Sequence, residues 1–278
     1  FSFKRDENLE ILSKYLKDYT RDGKAFFDRR TKGRLNNGLI MGNPNIFRTV
    51  ELSKENPQIK IRQMKLSDLN ELERIEDESW GKGMGATKQM LASRLEVFPE
   101  GTIGAEIDGK LMGQVSVFII NSSLCEKDFT WMGITDGGYI RATHDINGDC
   151  LYGITLSVTR GSPKELGALL LKAAGKLSIR KQLKGILFGC RIPNYHKYHK
   201  KMDVMTYINS VTKTGRILDP ELSMYRQVNA IPIRPIPNYF PDPESLNYGI
   251  LVFFENPLYK LQKMEFPFFI DKIKVDFT

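Results

Sequence analysis

The stretch Leu151–Cys190 reads LYGITLSVTR GSPKELGALL LKAAGKLSIR KQLKGILFGC, and the fold turns on how it divides. Leu151–Val158 is apolar or small throughout and carries no charge, as a buried strand demands. Leu166, Leu169, Leu170, Ala173 and Leu177 then recur at helical spacing, which lays one face of a helix on a sheet. Ahead of them, Ser162, Pro163 and Glu165 fit the N-cap, first and third positions of that helix. The hydroxyl and carboxylate would satisfy free N–H groups there, and proline lacks an N–H where none is needed. Gly185–Cys190 is a second strand. This is an α/β unit whose helix N-terminus, beside a strand end, favours an anion through free N–H groups and the helix dipole. Such units also occur where a cap only caps.

Working outward, Ile59–Ile61 predicts a short strand, and Leu66, Leu69, Leu72 and Ile75 a helix from Leu66 to Trp80, closed by the glycine-rich Gly81–Gly85. Thr87 caps a second helix that runs to Val97 and stops at Phe98-Pro99. Thr102–Ile107 and Lys110–Ile120 flank Asp108-Gly109 and form a hairpin. Residues 121–150 hold turn-formers without a period and read as a long covering loop. Toward the C-terminus, Pro232, Pro235, Pro237, Pro241 and Pro243 give a turn-rich tail before a last strand at Gly249–Phe254. Near the N-terminus, Leu9, Leu12, Leu16 and Tyr19 place a helix over Asn8–Tyr19, followed by a basic run (Arg29, Arg30, Lys32, Arg34) that reads as solvated or interface-facing. Residues 1–56 are therefore expected to be a helix and basic arm, and 57–278 one domain.

Composition narrows the function classes. Among 278 residues, 41% are hydrophobic and 27% charged, which excludes collagen-like, low-complexity and wholly disordered chains. The net charge of +8 admits phosphate-bearing partners. Cys125, Cys150 and Cys190 are widely spaced without a C-x-x-C pair, which argues against a disulfide framework or thiolate zinc site and suits the cytoplasm. His144, His196 and His199 are too few and scattered for a multi-histidine metal centre, so no metal is expected. Apolar runs fall far short of the roughly 20 residues that a membrane span needs. The basic residues are not interleaved with an aromatic stacking platform, which sets nucleic acid aside as a partner. The chain begins at Phe1, which leaves open what lies upstream.

Seven blocks then carry a resemblance: Phe98-Pro-Glu-Gly101, Thr130-Trp131, Gly138-Tyr-Ile140, Leu151-Tyr-Gly-Ile154, Arg191-Ile-Pro-Asn-Tyr-His-Lys-Tyr198, Asp219-Pro220 and Pro237-Asn-Tyr239. In their order, and over residues 58 to 258, they resemble the GNAT acyltransferase superfamily. More specifically they are similar to the GNAT half of bacterial proteins that join a GNAT domain to a carbon–nitrogen hydrolase, whose hydrolase half is not expected within these residues. GNAT-like loading domains of polyketide synthases are a second relative. The resemblance implies an α/β fold of the α+β kind, a mixed and mostly antiparallel sheet flanked by helices, with the N-terminal arm outside it.

It also implies a site. In the family the fourth and fifth strands part and the pantetheine arm of an acyl-CoA lies between them, which implicates Leu156 and Val158 on one side and Gly189 and Cys190 on the other. The family's pyrophosphate loop carries a basic or amide residue, then glycines; here Ser162 and Glu165 occupy two of those places, while Gly167 matches and Ala168 follows. Glu165 would oppose a diphosphate, and Arg160 and Lys164 are the cations that could offset it. His196 is the candidate base, and Tyr225, with Tyr198 as rival, the acid that protonates the departing thiolate. Thr155 stands where hydrolase-linked relatives carry an acidic residue, and could orient a water or the thioester carbonyl. Trp80 and Arg191 would line the substrate pocket. The implied activity is transfer of an acyl group, acetyl first, from acetyl-CoA or malonyl-CoA to an amine or thiol. The alternatives are loading, with or without decarboxylation, onto an acyl carrier protein in a neighbouring megasynthase, and a degenerate adaptor.

Overall fold

The computed structural model describes residues 59–259, and the helix and basic arm expected over 1–56 lie outside them. Seven strands form one mixed sheet: β1 (Ile59–Gln63), β2 (Thr102–Ile107), β3 (Lys110–Ile120), β4 (Cys150–Val158), β5 (Gly185–Cys190), β6 (Ile231–Ile236) and β7 (Gly249–Glu255). Their order is β1-β2-β3-β4-β5-β7-β6, with β4 and β5 parallel and the other neighbours antiparallel. Among the described residues six α-helices accompany it: α1 (Leu69–Trp80), α2 (Lys88–Val97), α3 (Trp131–Ile134), α4 (Leu166–Arg180), α5 (Val204–Asn209) and α6 (Pro220–Gln227).

Local chemistry accounts for much of this. Asp108 and Gly109 both take positive φ (51° and 79°), the requirement of a tight hairpin turn whose twist matches its strands. Thr87 caps α2 by accepting from the Met90 amide at 3.3 Å. Leu166, Leu170, Ala173 and Leu177 bury one face of α4. The pleat then sorts β3 and β4 into two faces. Gln114, Ser116, Thr155 and Ser157 point toward α1, whereas Gly113, Leu156 and Val158 point toward α4.

Four expectations are corrected. The helix after β4 starts at Leu166, not at Ser162, and Glu165 occupies its N-cap position without a side-chain cap bond. Gly161 turns the chain at φ +83° three residues after β4, and the Ser162 hydroxyl lies 3.4 Å from the Met112 carbonyl and 3.2 Å from Thr159 Oγ1. The hydroxyl is thus committed to the end of the sheet before the helix begins. The span from Leu66 opens with a 3-10 turn, Leu66–Asp68, and the α-helix proper begins at Leu69. The 121–150 loop contains a 3-10 turn at Ser122–Cys125 and the short helix α3. The proline-rich tail contains β6, an edge strand, where Pro232 and Pro235 remove donors that an inner strand would need.

One irregularity positions the site. β4 and β5 pair only at Leu151↔Ile186, Tyr152↔Leu187 and Gly153↔Phe188. From Thr155 to Val158, β4 has a ladder neighbour on its β3 side alone. The break coincides with a bulge, because the β3 register passes from Val117↔Gly153 to Ser116↔Thr155 and leaves Ile154 unmatched. At the last paired position a Cβ on Gly153 would lie 2.0 Å from the Phe188 ring, so glycine is required where the strands part.

Candidate functional site

Beside this parting, on the α1 face, lies a polar cluster inside the sheet. Glu76 of α1 is 2% exposed. Its Oε1 accepts from Gln114 Nε2 at 2.6 Å and from Ser157 Oγ at 2.5 Å, and its Oε2 from the Ala86 amide at 3.0 Å. Thr155 Oγ1 lies 3.1 Å from Ser157 Oγ and 3.5 Å from Glu76 Oε1. Since the Ser157 hydroxyl donates to the carboxylate, it accepts from the Trp80 indole at 2.9 Å. Thr155, Ser157 and Glu76 therefore form a hydrogen-bonded line that leads from β4 to a buried carboxylate.

Arg191 closes the opposite side. Its guanidinium carbon lies 6.0 Å from the Trp80 ring centroid. Its Nε and Nη2 donate to Asp242 at 2.7 and 3.0 Å, Nη2 also reaches Glu244 at 3.1 Å, and Glu221 lies 3.9 Å from Nη1. Burial pushes the Glu221 carboxyl up to about 7, with Arg191 drawing it down and Asp219 adding to the rise. His196 belongs to the same corner: its Nδ1 lies 2.9 Å from the Pro193 carbonyl and 3.0 Å from the Glu244 carbonyl. Carbonyls only accept, so Nδ1 carries the proton and Nε2 is the nitrogen left to take another. A chain of contacts thus joins four of the sequence candidates, Thr155, Trp80, Arg191 and His196, through Ser157 and Glu244.

The remaining candidates are placed differently. Tyr225 of α6 is buried and its ring centroid lies 5.4 Å from that of Phe188, beneath the α4 face and across the sheet from Thr155. Burial drives its phenol well above the ordinary tyrosine value, so it holds its proton more firmly than the free side chain on which the sequence argument relied. Tyr198 packs its ring 5.4 Å from that of Tyr207. Cys190 is buried, and burial likewise raises its thiol. Leu156 and Val158 pack near Gly167 at the start of α4, with Ala168 half-buried next to it. Arg160, Lys164 and Glu165 are exposed around that helix start, and Ser162 is half-buried.

Sequence reasoning passed over Glu76, although a signal existed. It continues the Leu69, Leu72 stripe of α1 and precedes Trp80 by one turn, so it stands where an apolar residue was due. Glu221 carried no such mark, because only Asp219 of its charged surroundings is a sequence neighbour, while Arg191 and Asp242 come from distant segments.

No family model matches the chain. An uncharacterized N-acetyltransferase of Bacillus subtilis (strain 168), YkwB, is 36% identical over 175 residues, which is 63% of this chain and 76% of the relative. The chain belongs to the GNAT acetyltransferase superfamily. A probable hydrolase of the same organism, YhcX, is 33% identical to this GNAT chain over 219 residues, 77% of the chain but only 42% of the longer relative. Among solved structures, the loading GNATL domain of CurA from Lyngbya majuscula matches with a TM-score of 0.61 at 20% identity, covering 72% of this chain and 98% of that domain. The GphF GNAT-like decarboxylase in complex with isobutyryl-CoA gives 0.60 at 21% identity, covering 71% and 99%. These two likenesses establish the GNAT fold, a mixed sheet flanked by helices.

Proposed function

We propose that the chain is an acyltransferase that takes an acyl group, acetyl first, from an acyl-CoA seated between β4 and β5 and passes it to an amine or thiol. The observation that carries this reading is the parting of the two strands after Gly153, which leaves β4 from Thr155 to Val158 with a ladder neighbour on one side only. An extended pantetheine arm can add there much as a strand adds to a sheet edge. The acyl-CoA complex of the GphF neighbour supports a CoA-type donor. In this reading Leu156, Val158 and Cys190 line the arm, and Gly167, Ala168 and Ser162 lie at the phosphates with Arg160 and Lys164 as counter-charges. His196 Nε2 takes the acceptor's proton, Thr155 orients the thioester carbonyl, and Trp80 and Arg191 wall the acyl end. Tyr225 or Tyr198 protonates the leaving thiolate. We retain 57–278 as the transferase domain and 1–56 as an appended arm, within the cytoplasm.

A second reading, loading of an acyl carrier protein with or without prior decarboxylation, draws support from the printed roles of the CurA and GphF neighbours. Calorimetric titration with coenzyme A, acetyl-CoA and malonyl-CoA tests the first reading, and micromolar binding is expected. A flat titration with all three would remove the CoA-dependent transferase. Product analysis with free amines against a carrier protein then separates the two readings.

A further inference from the structure

Arg94 of α2 is the largest fully buried side chain among the described residues, at 1% exposure. Its Nε donates to the Gly138 carbonyl at 2.8 Å, yet Nη1 and Nη2 have no hydrogen-bond partner among the described residues. Two planar NH2 groups thus stand unspent in the interior. Burial lowers the guanidinium to about 10, with Glu76 opposing the shift, so it stays charged at neutral pH. Glu76 does not neutralise it by contact, because its own oxygens are taken by Gln114, Ser157 and the Ala86 amide. Buried charges of this kind are ordinarily paired or bound to a ligand.

The surroundings connect Arg94 to the parting of the strands. A Cβ placed on Gly138 would lie 3.2 Å from Arg94 Nη2, from Met90 Sδ and from Trp131 Cη2 alike, so all three side chains border the Gly138 backbone. The indole of Trp131 in turn donates at 3.1 Å to the Ile154 carbonyl, at the β4 bulge. One tryptophan therefore spans from the unspent donors to the point where β4 leaves β5. The backbone that presents Gly138 is strained: Ile140, β-branched and buried, takes φ +59°.

We propose that Arg94 is a carboxylate-recognition site, and that a substrate of this protein carries a carboxylate which the two Nη groups bind side by side. A guanidinium offers that bidentate match where an ammonium does not. Met90 and Trp131 supply apolar contact for the carbons that bear it. The inference rests on the transferase reading and deepens it. The carboxylate has two sources, the distal end of a dicarboxylic acyl group on the donor or the α-carboxylate of an amino-acid acceptor.

Calorimetry on the full chain distinguishes them. One arm compares succinyl-CoA with acetyl-CoA, and the other compares L-alanine with L-alaninamide. In one of the two arms the carboxylate-bearing probe should bind about ten- to a hundredfold more tightly than the partner that lacks the carboxylate. Arg94→Met should abolish that preference while its affinity for free coenzyme A stays within about twofold of the parent. If Arg94→Met does not fold, Arg94→Lys takes its place and should lower the preference severalfold through loss of the fork. Absence of preference in both arms, or a preference undiminished in the variants, overturns the proposal. Failure of free coenzyme A to bind overturns the transferase reading instead, and the alanine arm, run without it, still decides on Arg94.

Discussion

Glu76 shows how much a single buried side chain organises. Three donors converge on it from β3, β4 and the segment before α2, through Gln114, Ser157 and the Ala86 amide. Glu76→Ala strands them together, and at about 1–3 kcal/mol for each unpaired buried donor, urea unfolding should show a loss of roughly 3 kcal/mol or more. Glu76→Gln, which keeps one acceptor oxygen, should recover part of it; a loss below about 1 kcal/mol for the alanine variant would contradict the network. Glu221 gives a pH signature. Burial holds its proton up to about 7 in the folded chain, against an ordinary value of 4.5. The folded state therefore binds a proton that the unfolded state releases between these values. The stability this group contributes is complete below about 4.5 and is lost as pH rises through about 7. Scanning calorimetry across that window should find a flatter dependence of the melting temperature in Glu221→Gln than in the parent, and parallel curves would refute the assignment.

At the scale of elements, the two helix starts make a matched pair. Thr87 accepts from an amide of α2, whereas Ser162 makes no bond to α4 and lies against the Met112 carbonyl. Thr87→Ala should therefore cost about 1 kcal/mol, the usual value of a cap, while Ser162→Ala should stay within about 0.5 kcal/mol of the parent in chemical denaturation. Equal losses would restore the cap that the sequence suggests. The contrast also shows what was legible beforehand. Signals confined to neighbouring residues were read well: Asp108-Gly109, Thr87, and the stripe of Leu166, Leu170, Ala173 and Leu177. Ser162 misled because Gly161 turns the chain first, and β6 escaped notice because Pro232 and Pro235 disguise a strand that survives only at an edge. Of the candidate residues, Thr155, Trp80, Arg191 and His196 can be named from the sequence, but the contacts that join them run through Ser157 and Glu244, which no local pattern links to them.

For the whole molecule, a donor seated where β4 and β5 part should act on stability as any ligand of the native state does. At coenzyme A concentrations near 100 times Kd, the unfolding free energy should rise by about 2.7 kcal/mol, read from denaturation curves with and without it. An unchanged curve would place the ligand elsewhere or nowhere. The parting has a mechanical side as well. Strands β1 to β4 and strands β5, β7 and β6 are two half-sheets, stitched along Leu151–Gly153 and Ile186–Phe188 and by little else in the ladder. Amide exchange in the empty protein should then record two rhythms, one for each flank, and a single rhythm would show that the helix Leu166–Arg180, packed on both, binds them together. A thioester lodged in the seam would then be mortar as well as cargo, and the two rhythms should merge into one when it binds.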